Sequence, residues 1–456
     1  MASEQRVSIH GQWSSRLAFI LAATGSAVGL GNIWKFPYIT GMNGGGAFVL
    51  VYLLCIVCIG IPIMMAETML GRRGRQSPIN TMAALAAEEG GHRVWSWVGW
   101  MGVLAGFLIL SYYSVIAGWA LAYVVRAASG MFHGMNAESV NNLFGTFVSD
   151  PERVLAWHSI FMVMTMVVVA RGVQAGLEKS VRYMMPALFL ILVVLVVYAS
   201  TTGYFAAGLA FLFTPDFSKL TWNGVMIAMG HAFFTLSLGM GAIMMYGSYL
   251  PNGISIAKTT LVIASADTLV SLMAGMAIFP IVFAHGLEPT SGAGLIFKTL
   301  PIAFGQMDAG VLIGTLFFLL LVFAAWSSSI SLIEPAVAWL VENHNISRVS
   351  ASAWLGVLSW LLGIATILSF NYWEQYKLHG KTIFDVLDYV TANIMLPLGG
   401  LLIAVFAGWV LSVKSSYDEM ANGRQGYAVW LFLVRYVTPV AVILIFLNVS
   451  GVLDLL

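Results

Sequence analysis

Apolar runs long enough to cross a lipid bilayer fill most of this 456-residue chain. A spanning helix needs about 20 residues, and charges or glycine and proline delimit eleven such runs. They lie near residues 16–42, 46–70, 95–126, 154–171, 178–202, 224–250, 257–285, 308–341, 351–371, 382–411 and 427–451. Because only 9% of the residues are charged, a water-soluble fold is excluded. The sequence predicts an all-α polytopic membrane protein, with residues 1–456 as a single transmembrane domain.

The distribution of charge limits the partners and the orientation of the chain. With 21 basic and 20 acidic residues, it lacks the basic surface that nucleic acid requires. If the N-terminus is cytoplasmic, the loops on its side carry thirteen lysines and arginines, against six on the other side. That asymmetry follows the positive-inside rule. We therefore expect a multi-pass cell-membrane protein with a cytoplasmic N-terminus and, after an odd number of spans, an external C-terminus. Lipid is its expected surrounding.

Motifs for catalysis are missing from the sequence. It has no G-x-S-x-G elbow and no H-E-x-x-H pair, and the glycine run 44–46 lies between two spans rather than between a strand and a helix. His231 is a lone histidine without a metal-ligating partner. We expect neither an enzyme nor an organic cofactor.

Two of the spans are interrupted in the same way. The apolar stretch Leu17–Leu30 rises about 21 Å as a helix, short of the roughly 30 Å bilayer core. Glycines and polar residues interrupt or follow this stretch, namely Gly29, Gly31, Asn32 and Lys35. The sixth span has a similar set in its middle, namely Thr235, Ser237, Gly239 and Gly241. Small residues also serve helix packing. Interruptions at matching positions of two halves are typical of transporters with inverted repeats and a central site.

The interrupted spans bring oxygen-bearing groups to membrane depth. Freed carbonyls can bind a cation and freed N–H groups a carboxylate, because no water is available there. Asn32, Thr235 and Asp267 add side-chain oxygens, and Ser327 to Ser329 supply hydroxyls in the eighth span. Two ordinary alternatives remain open: serines often bond back to their own helix, and neighbouring donors can satisfy Asp267.

Three long motifs resemble one known family. The first span and its exit read GSAVGLGNIWKFPYITGMNGGGAFVLVYLL, the sixth contains FFTLSLGMGAIMMYGSY, and the eighth contains AWSSSISLIEP. Together with Tyr112, Tyr113 and Trp119 in the third span, they closely resemble the neurotransmitter:sodium symporters over nearly the whole chain. Eleven spans, without a twelfth, are similar to the bacterial members.

The resemblance implies two inverted five-helix repeats, over residues 16–202 and 224–411, with helices 1 and 6 discontinuous and 427–451 as an eleventh helix. It also implies sodium-coupled symport by alternating access, with two sodium ions. The first sodium site maps onto Ala27, Asn32, Thr235 and Asp267, and the second onto Gly25, Val28, Ala324, Ser327 and Ser328. The substrate pocket maps onto Ala27, Leu30, Gly31, Ile109, Tyr113, Phe234, Thr235, Ser237, Met240, Ser328 and Leu332.

Two departures from the family's sequence patterns predict the class of substrate and the independence of transport from chloride. Gly29 stands where monoamine-transporting relatives have an aspartate, so we expect an α-amino acid that brings its own carboxylate to the first sodium. An apolar side chain, aliphatic or aromatic, would lie among Ile109, Phe234 and Met240. The chloride site of chloride-dependent relatives maps onto Tyr52, His231, Thr235, Asp267 and Ser271, where Asp267 replaces an asparagine and His231 a glutamine. A fixed carboxylate predicts chloride-independent transport. The rival interpretation is a proton-coupled amino acid transporter or exchanger of similar fold; a channel or receptor is a more distant one.

The family's gates also have counterparts. Lys35 and Asp388 would form the outer ion pair. On the inner side, Trp13 would plug the helix bundle, with Glu342 as an acidic partner for the N-terminal segment. We expect the transporter to work as a monomer on a small-molecule amino acid.

Overall fold

The structure is a computed structural model that describes residues 6, 8–288, 294–420 and 423–449. Within these ranges the chain forms helices and no strand, apart from one isolated bridge between Leu378 and Lys381. The predicted all-helical class is therefore confirmed.

Eighteen helices, numbered in chain order with their π-type turns included, make up most of the described residues. They are α1 Arg16–Ala27, α2 Gly31–Met42, α3 Gly46–Gly74, α4 Pro78–Glu88, α5 Arg93–Ala128, α6 Ala137–Ser149, α7 Pro151–Ala170, α8 Val173–Ser200, α9 Phe205–Phe213, α10 Trp222–Thr235, α11 Ala242–Ser248, α12 Ile256–Ala284, α13 Leu295–Gln306, α14 Gly310–His344, α15 Arg348–Leu368, α16 Ile383–Val410, α17 Val413–Met420 and α18 Gly423–Asn448.

Helix length and apolarity identify the segments that can cross a membrane. Nine helices of the described part qualify alone, namely α3, α5, α7, α8, α12, α14, α15, α16 and α18. Helices α1 and α2 qualify together and meet at an angle of 50°. The predicted sixth span, 224–250, is divided between α10 and α11, whose 14 and 7 residues are each too short to cross alone. The count of eleven spans and the division into two repeats stay predictions.

Both predicted interruptions are breaks in the helical backbone. After α1 the chain becomes extended at Val28, with φ −68° and ψ 107°. Between α10 and α11, three residues have positive φ: Ser237 at 55°, Gly239 at 80° and Gly241 at 75°. Glycine adopts such angles without a side-chain clash, whereas serine needs local support. The Ser237 hydroxyl has that support, because it donates to the Ser26 carbonyl at 2.8 Å and so joins the two breaks.

A buried carboxylate on α3 holds the second break. The Gly239 N–H donates to Oε1 of Glu67 at 2.7 Å, and Glu67 has no exposed surface. A Cβ atom at Gly239 would also overlap the Leu396 carbonyl of α16. The broken segment is thus packed tightly between α3 and α16, and its freed N–H group has a partner inside the protein.

Helices α3 and α11 pack closely at Gly71, where an added methyl group would disturb the contact. A Cβ atom at Gly71 would overlap the Met244 carbonyl, whereas one at Gly145, inside the exposed helix α6, would meet nothing within 4 Å.

Substituting Gly71→Ala should therefore lower the stability of the purified protein, by about 1–3 kcal/mol for an overpacked contact. Gly145→Ala is the matched control, and it should raise stability by up to about 1 kcal/mol, since alanine favours a helix. Thermal unfolding in detergent measures both. Equal melting temperatures for Gly71→Ala and the parent protein would contradict the packing.

Candidate functional site

Four oxygen atoms surround the side-chain nitrogen of Asn32. They are Thr235 Oγ1 at 2.9 Å, Ser271 Oγ at 2.9 Å, and the Oδ1 and backbone oxygen of Asp267 at 2.7 and 3.1 Å. An amide NH₂ group has only two hydrogens to donate. Asn32 and Asp267 have no exposed surface, so bulk solvent does not reach the surplus oxygens. This is an oxygen-rich cage of the kind that suits a hard cation.

The cage contains three of the four residues predicted for the first sodium site, and it adds Ser271. The fourth, Ala27, ends α1 and lines the adjoining cavity. The Asn32 Oδ1 accepts the Gly29 N–H at 2.9 Å, so the asparagine side chain also stabilises the break that follows α1. The Thr235 hydroxyl lies 3.2 and 3.0 Å from the two Asp267 oxygens.

A second cluster of oxygens lies where α14 meets the end of α1. The Ser328 hydroxyl is 3.1 Å from the Val28 carbonyl, 3.2 Å from that of Ser26 and 3.4 Å from that of Gly25. One hydroxyl hydrogen cannot satisfy three carbonyls. The cluster therefore has spare acceptors on freed backbone, which a small cation can use.

The other residues predicted for the second sodium site differ in role. The Ser327 hydroxyl donates back to its own helix, at 3.1 Å to the carbonyls of Phe323 and Ala324. This is the ordinary behaviour of serine in a membrane helix. Gly25 matters through its size as well, because a Cβ atom there would lie 3.2 Å from that of Ser327.

A small cavity of about 30 Å³ lies between the two clusters, lined by Ser26 and Ser328 of one and by Gly31 and Phe234, which directly precede Asn32 and Thr235 of the other. Nine of the eleven predicted substrate residues line it: Ala27, Gly31, Ile109, Tyr113, Phe234, Ser237, Met240, Ser328 and Leu332. The other two predicted residues lie elsewhere. Leu30 lines a separate outer cavity, and the Thr235 side chain belongs to the Asn32 cage.

The second cavity, of about 120 Å³, adjoins the first on the side predicted to be external. Tyr113, Phe234 and Gly31 line both cavities and so separate them. Lys35 and Asp388 both line the outer cavity, but they form no ion pair among the described residues. Lys35 Nζ instead lies 4.7 Å from the centre of the Phe234 ring, and the Tyr112 hydroxyl donates to Asp388 at 3.3 Å.

The N-terminal segment closes the opposite end of the site. Trp13 is only 2% exposed; its backbone N–H donates to the Tyr249 carbonyl and its indole N–H to that of Tyr246, each at 3.0 Å. Glu342 accepts from His10 at 3.0 Å and from the Ser77 N–H at 2.7 Å. Trp13 thus packs at the end of α11 and Glu342 contacts the N-terminal segment, and their roles as inner plug and acidic partner stay predictions.

The residues compared with a chloride site adjoin one another, since the Tyr52 hydroxyl faces Ser271 and Thr235. Thr235, Asp267 and Ser271 meet at Asn32. Tyr52 and His231 pack against each other with ring centres 5.4 Å apart. The Tyr52 hydroxyl and both His231 nitrogens have no hydrogen-bond partner within the described residues.

Ser26 was not among the predicted site residues, although its neighbours Gly25 and Ala27 were. Ser26 lines the central cavity, and its carbonyl accepts from both Ser237 and Ser328. Its hydroxyl donates to Ser331 at 2.7 Å. A signal was available in the sequence, since Ser26 lies three residues before Gly29, in the last turn before the predicted break, where carbonyls lose their helical partners.

Comparisons with known proteins agree with this geometry. The model of the sodium:neurotransmitter symporter family matches residues 10–144 and 147–453. The sodium-dependent transporter YhdH of Bacillus subtilis is 40% identical, over 97% of this chain and 98% of its own length. A sodium-dependent transporter of Haemophilus influenzae is 33% identical, over 96% and 97%. The crystal structure of MhsT in complex with L-phenylalanine superposes with a TM-score of 0.90 at 43% identity, over 96% of this chain and 99% of that one.

The matches cover nearly the whole chain and include both broken segments and the cavity between them. They confirm the family that the sequence motifs predict, and with it a multi-pass membrane protein that uses sodium and a small-molecule substrate. The family and the fold are those of solute transporters and not of enzymes. This chain belongs to the sodium:neurotransmitter symporter family.

Proposed function

We propose that the protein is a sodium-coupled symporter that carries hydrophobic L-amino acids, aliphatic and aromatic, by alternating access and without chloride. The observation that carries the proposal is the placement of the central cavity between two oxygen clusters, at the break that follows α1. Ions and substrate would then share one set of freed backbone groups. Binding of each would favour the other, because each would organise the same groups.

The clusters support two sodium ions rather than a divalent cation. The Asn32 cage offers one carboxylate among otherwise neutral oxygens, and the Ser328 cluster offers only neutral oxygens. Within the described residues no group of three or more histidine, cysteine or acidic side chains could hold a metal. Oxygen ligands with so little charge suit a monovalent hard ion.

The cavity lining supports an amino acid with an apolar side chain. Ile109, Phe234, Met240 and Leu332 supply most of the apolar surface. At the polar end, the Leu30 N–H points at the Tyr113 hydroxyl at 3.2 Å, where a substrate carboxylate would also find donors. A Cβ atom at Gly29 would come within 2.9 Å of that hydroxyl, so the glycine leaves the space a carboxylate needs. MhsT, the related structure, contains L-phenylalanine.

A cavity of about 30 Å³ has room for roughly one water molecule, so entry of an amino acid requires the lining to move. Two features support such movement. Met240 is an unbranched side chain that fills irregular space readily, and glycines with positive φ stand on both sides of it. Displacing Phe234 would also join the central cavity to the outer one, because Phe234 lines both.

Uptake into proteoliposomes tests the proposal directly. We expect labelled L-phenylalanine to accumulate when sodium is high outside, and to fall to the level of protein-free vesicles when choline replaces sodium. Unlabelled leucine and tryptophan should both compete. A proton gradient that drives the same uptake without sodium would establish the rival proton-coupled transporter, and failure of leucine and tryptophan to compete would remove the proposed substrate class.

Substituting Ser328→Ala should weaken sodium coupling, because it removes the one hydroxyl that reaches the freed carbonyls beyond α1. We expect the sodium concentration for half-maximal uptake to rise about tenfold, as loss of one ligand costs near 1.4 kcal/mol. Ser329→Ala is the matched control, since the Ser329 hydroxyl bonds to Thr165 and to its own helix. An unchanged sodium requirement in Ser328→Ala would argue against the second site.

Asp267 gives a separate prediction about chloride. Uptake by the parent protein should be equal in chloride and in gluconate, since a fixed carboxylate supplies the negative charge beside the first ion. Asp267→Asn should lower uptake in gluconate by about tenfold or more, and chloride should restore part of it. The control is Glu334→Gln, a change in a buried carboxylate that is paired with Arg348, away from the cage; chloride should not affect it. Chloride-dependent uptake by the parent protein would contradict the prediction.

A further inference from the structure

A large apolar groove lies at the membrane-facing side of the bundle, apart from the transport site. Its volume is about 820 Å³. The first half of α5 forms one wall, the end of α14 another, and α15 and α16 close it with Leu355 and Leu402. Its lining is entirely apolar or aromatic, with the indole N–H groups of tryptophan as the only polar side-chain atoms.

The groove is open to the surroundings of the protein. Trp97 on α5 is 70% exposed, Leu104 is 50% exposed and Trp100 is 39% exposed. Trp100 packs against Trp339 of α14 with ring centres 4.6 Å apart, which joins the two main walls. Exposed apolar surface on a spanning helix is covered by lipid chains in a bilayer, and tryptophans cluster at the level of the headgroups.

The dimensions of the groove fit one acyl chain. Its α5 wall runs from Val94 to Phe107, which spans about 20 Å of helix. One leaflet contributes about 15 Å of hydrocarbon to the bilayer core. A chain that enters from the headgroup level therefore fits along the groove and reaches the middle of the membrane.

A positive charge stands at the headgroup end. Arg93 is the first residue of α5, directly before the lining residue Val94, and it is exposed. Within the described residues it forms no ion pair, whereas nearby Arg73 pairs with Glu88. Glu88 also pairs with Arg6 of the N-terminal segment, which places this end of α5 on the side predicted to be cytoplasmic. Anionic lipid attracts basic residues there.

We propose that this groove, defined by Arg93 and the walls of α5 and α14, is a binding site for an anionic phospholipid of the inner leaflet. The acyl chain lies along Trp97, Trp100 and Leu104, and the headgroup phosphate pairs with Arg93. The site does not depend on the identity of the transported substrate. It joins α5, which carries Ile109 and Tyr113, to α14, which carries Ser328, so a bound lipid holds together two helices that line the transport cavity.

Native mass spectrometry of the full-length protein tests the proposal. After mixing with equal amounts of phosphatidylglycerol and phosphatidylcholine of the same chains, the protein should retain one phosphatidylglycerol in preference. Arg93→Gln should reduce that retention about fivefold, the effect of one basic residue near an anionic lipid. Lys258→Gln is the matched control, because Lys258 is also exposed and without an ion pair in the described residues but is not beside the groove. Equal retention of both lipids, or unchanged retention in Arg93→Gln, would overturn the proposal.

Tryptophan fluorescence locates the chain independently. Phosphatidylglycerol with a brominated acyl chain should quench emission more than brominated phosphatidylcholine at the same mole fraction in nanodiscs. Trp97→Phe should remove much of this excess, whereas Trp354→Phe should not, although Trp354 is similarly exposed, at 67%. Equal loss of the excess in the two variants would overturn the position of the lipid. Recovery of a dimer that Trp97→Phe abolishes would assign the groove to a second copy of the chain, against the proposal.

Discussion

Backbone groups that leave a helix at membrane depth must find partners inside the protein, and the rest of this site depends on that constraint. The chain breaks twice, after Ala27 and after Thr235. Side chains form hydrogen bonds with some of these backbone groups: Glu67 accepts the Gly239 N–H, and Asn32 accepts the Gly29 N–H. Beyond α1, the Val28 carbonyl is met by the Ser328 hydroxyl and the Gly29 carbonyl by the Asn32 N–H, and the single Ser328 hydroxyl is shared with two carbonyls near the end of α1. The N–H groups thus have acceptors, whereas the carbonyl oxygens that share the Ser328 hydroxyl have too few donors. A cation can bind at these carbonyl oxygens.

The two breaks also depend on each other. The Ser26 carbonyl accepts from Ser237, which belongs to the second break, and from Ser328, which belongs to α14. A change at either break therefore alters the partners of the other. If the proposed ion and substrate sites are correct, binding at one would affect the other through shared atoms rather than through a long pathway.

Much of this was accessible from the sequence, for a clear reason. Glycine and polar residues inside an apolar run of fixed length mark a break in the helix, and the family motifs then assign the residues around it. What the sequence could not provide was the direction of single side chains. Thr235 was predicted for both the substrate and the ion, but its hydroxyl lies in the Asn32 cage. Ser327, next to Ser328, turns its hydroxyl back to its own helix. Adjacent residues on a helix point about 100° apart, and packing decides which of them reaches the site.

The sequence also does not determine side-chain contacts at the predicted gates or the packing that forms the proposed lipid groove. The charges of Lys35 and Asp388 suggest an ion pair, yet each side chain has another contact, with Phe234 and Tyr112. The groove arises from α5, α14, α15 and α16, which are far apart in the sequence. The periodicity of a single helix could not reveal the groove, because most of its walls have the sequence of an ordinary apolar membrane helix.

Two buried carboxylates differ in how the protein compensates their charge. Glu334 and Asp267 both have no exposed surface. Glu334 is paired with Arg348 and accepts from the Tyr249 hydroxyl, so its charge is compensated within the protein. Asp267 meets only the neutral groups of Asn32 and Thr235 among the described residues. A buried carboxylate without a counter-charge is costly by several kcal/mol, and a cation that enters the cage removes that cost. Asp267 thus lacks the counter-charge that Glu334 has, and a monovalent cation in the Asn32 cage would supply it.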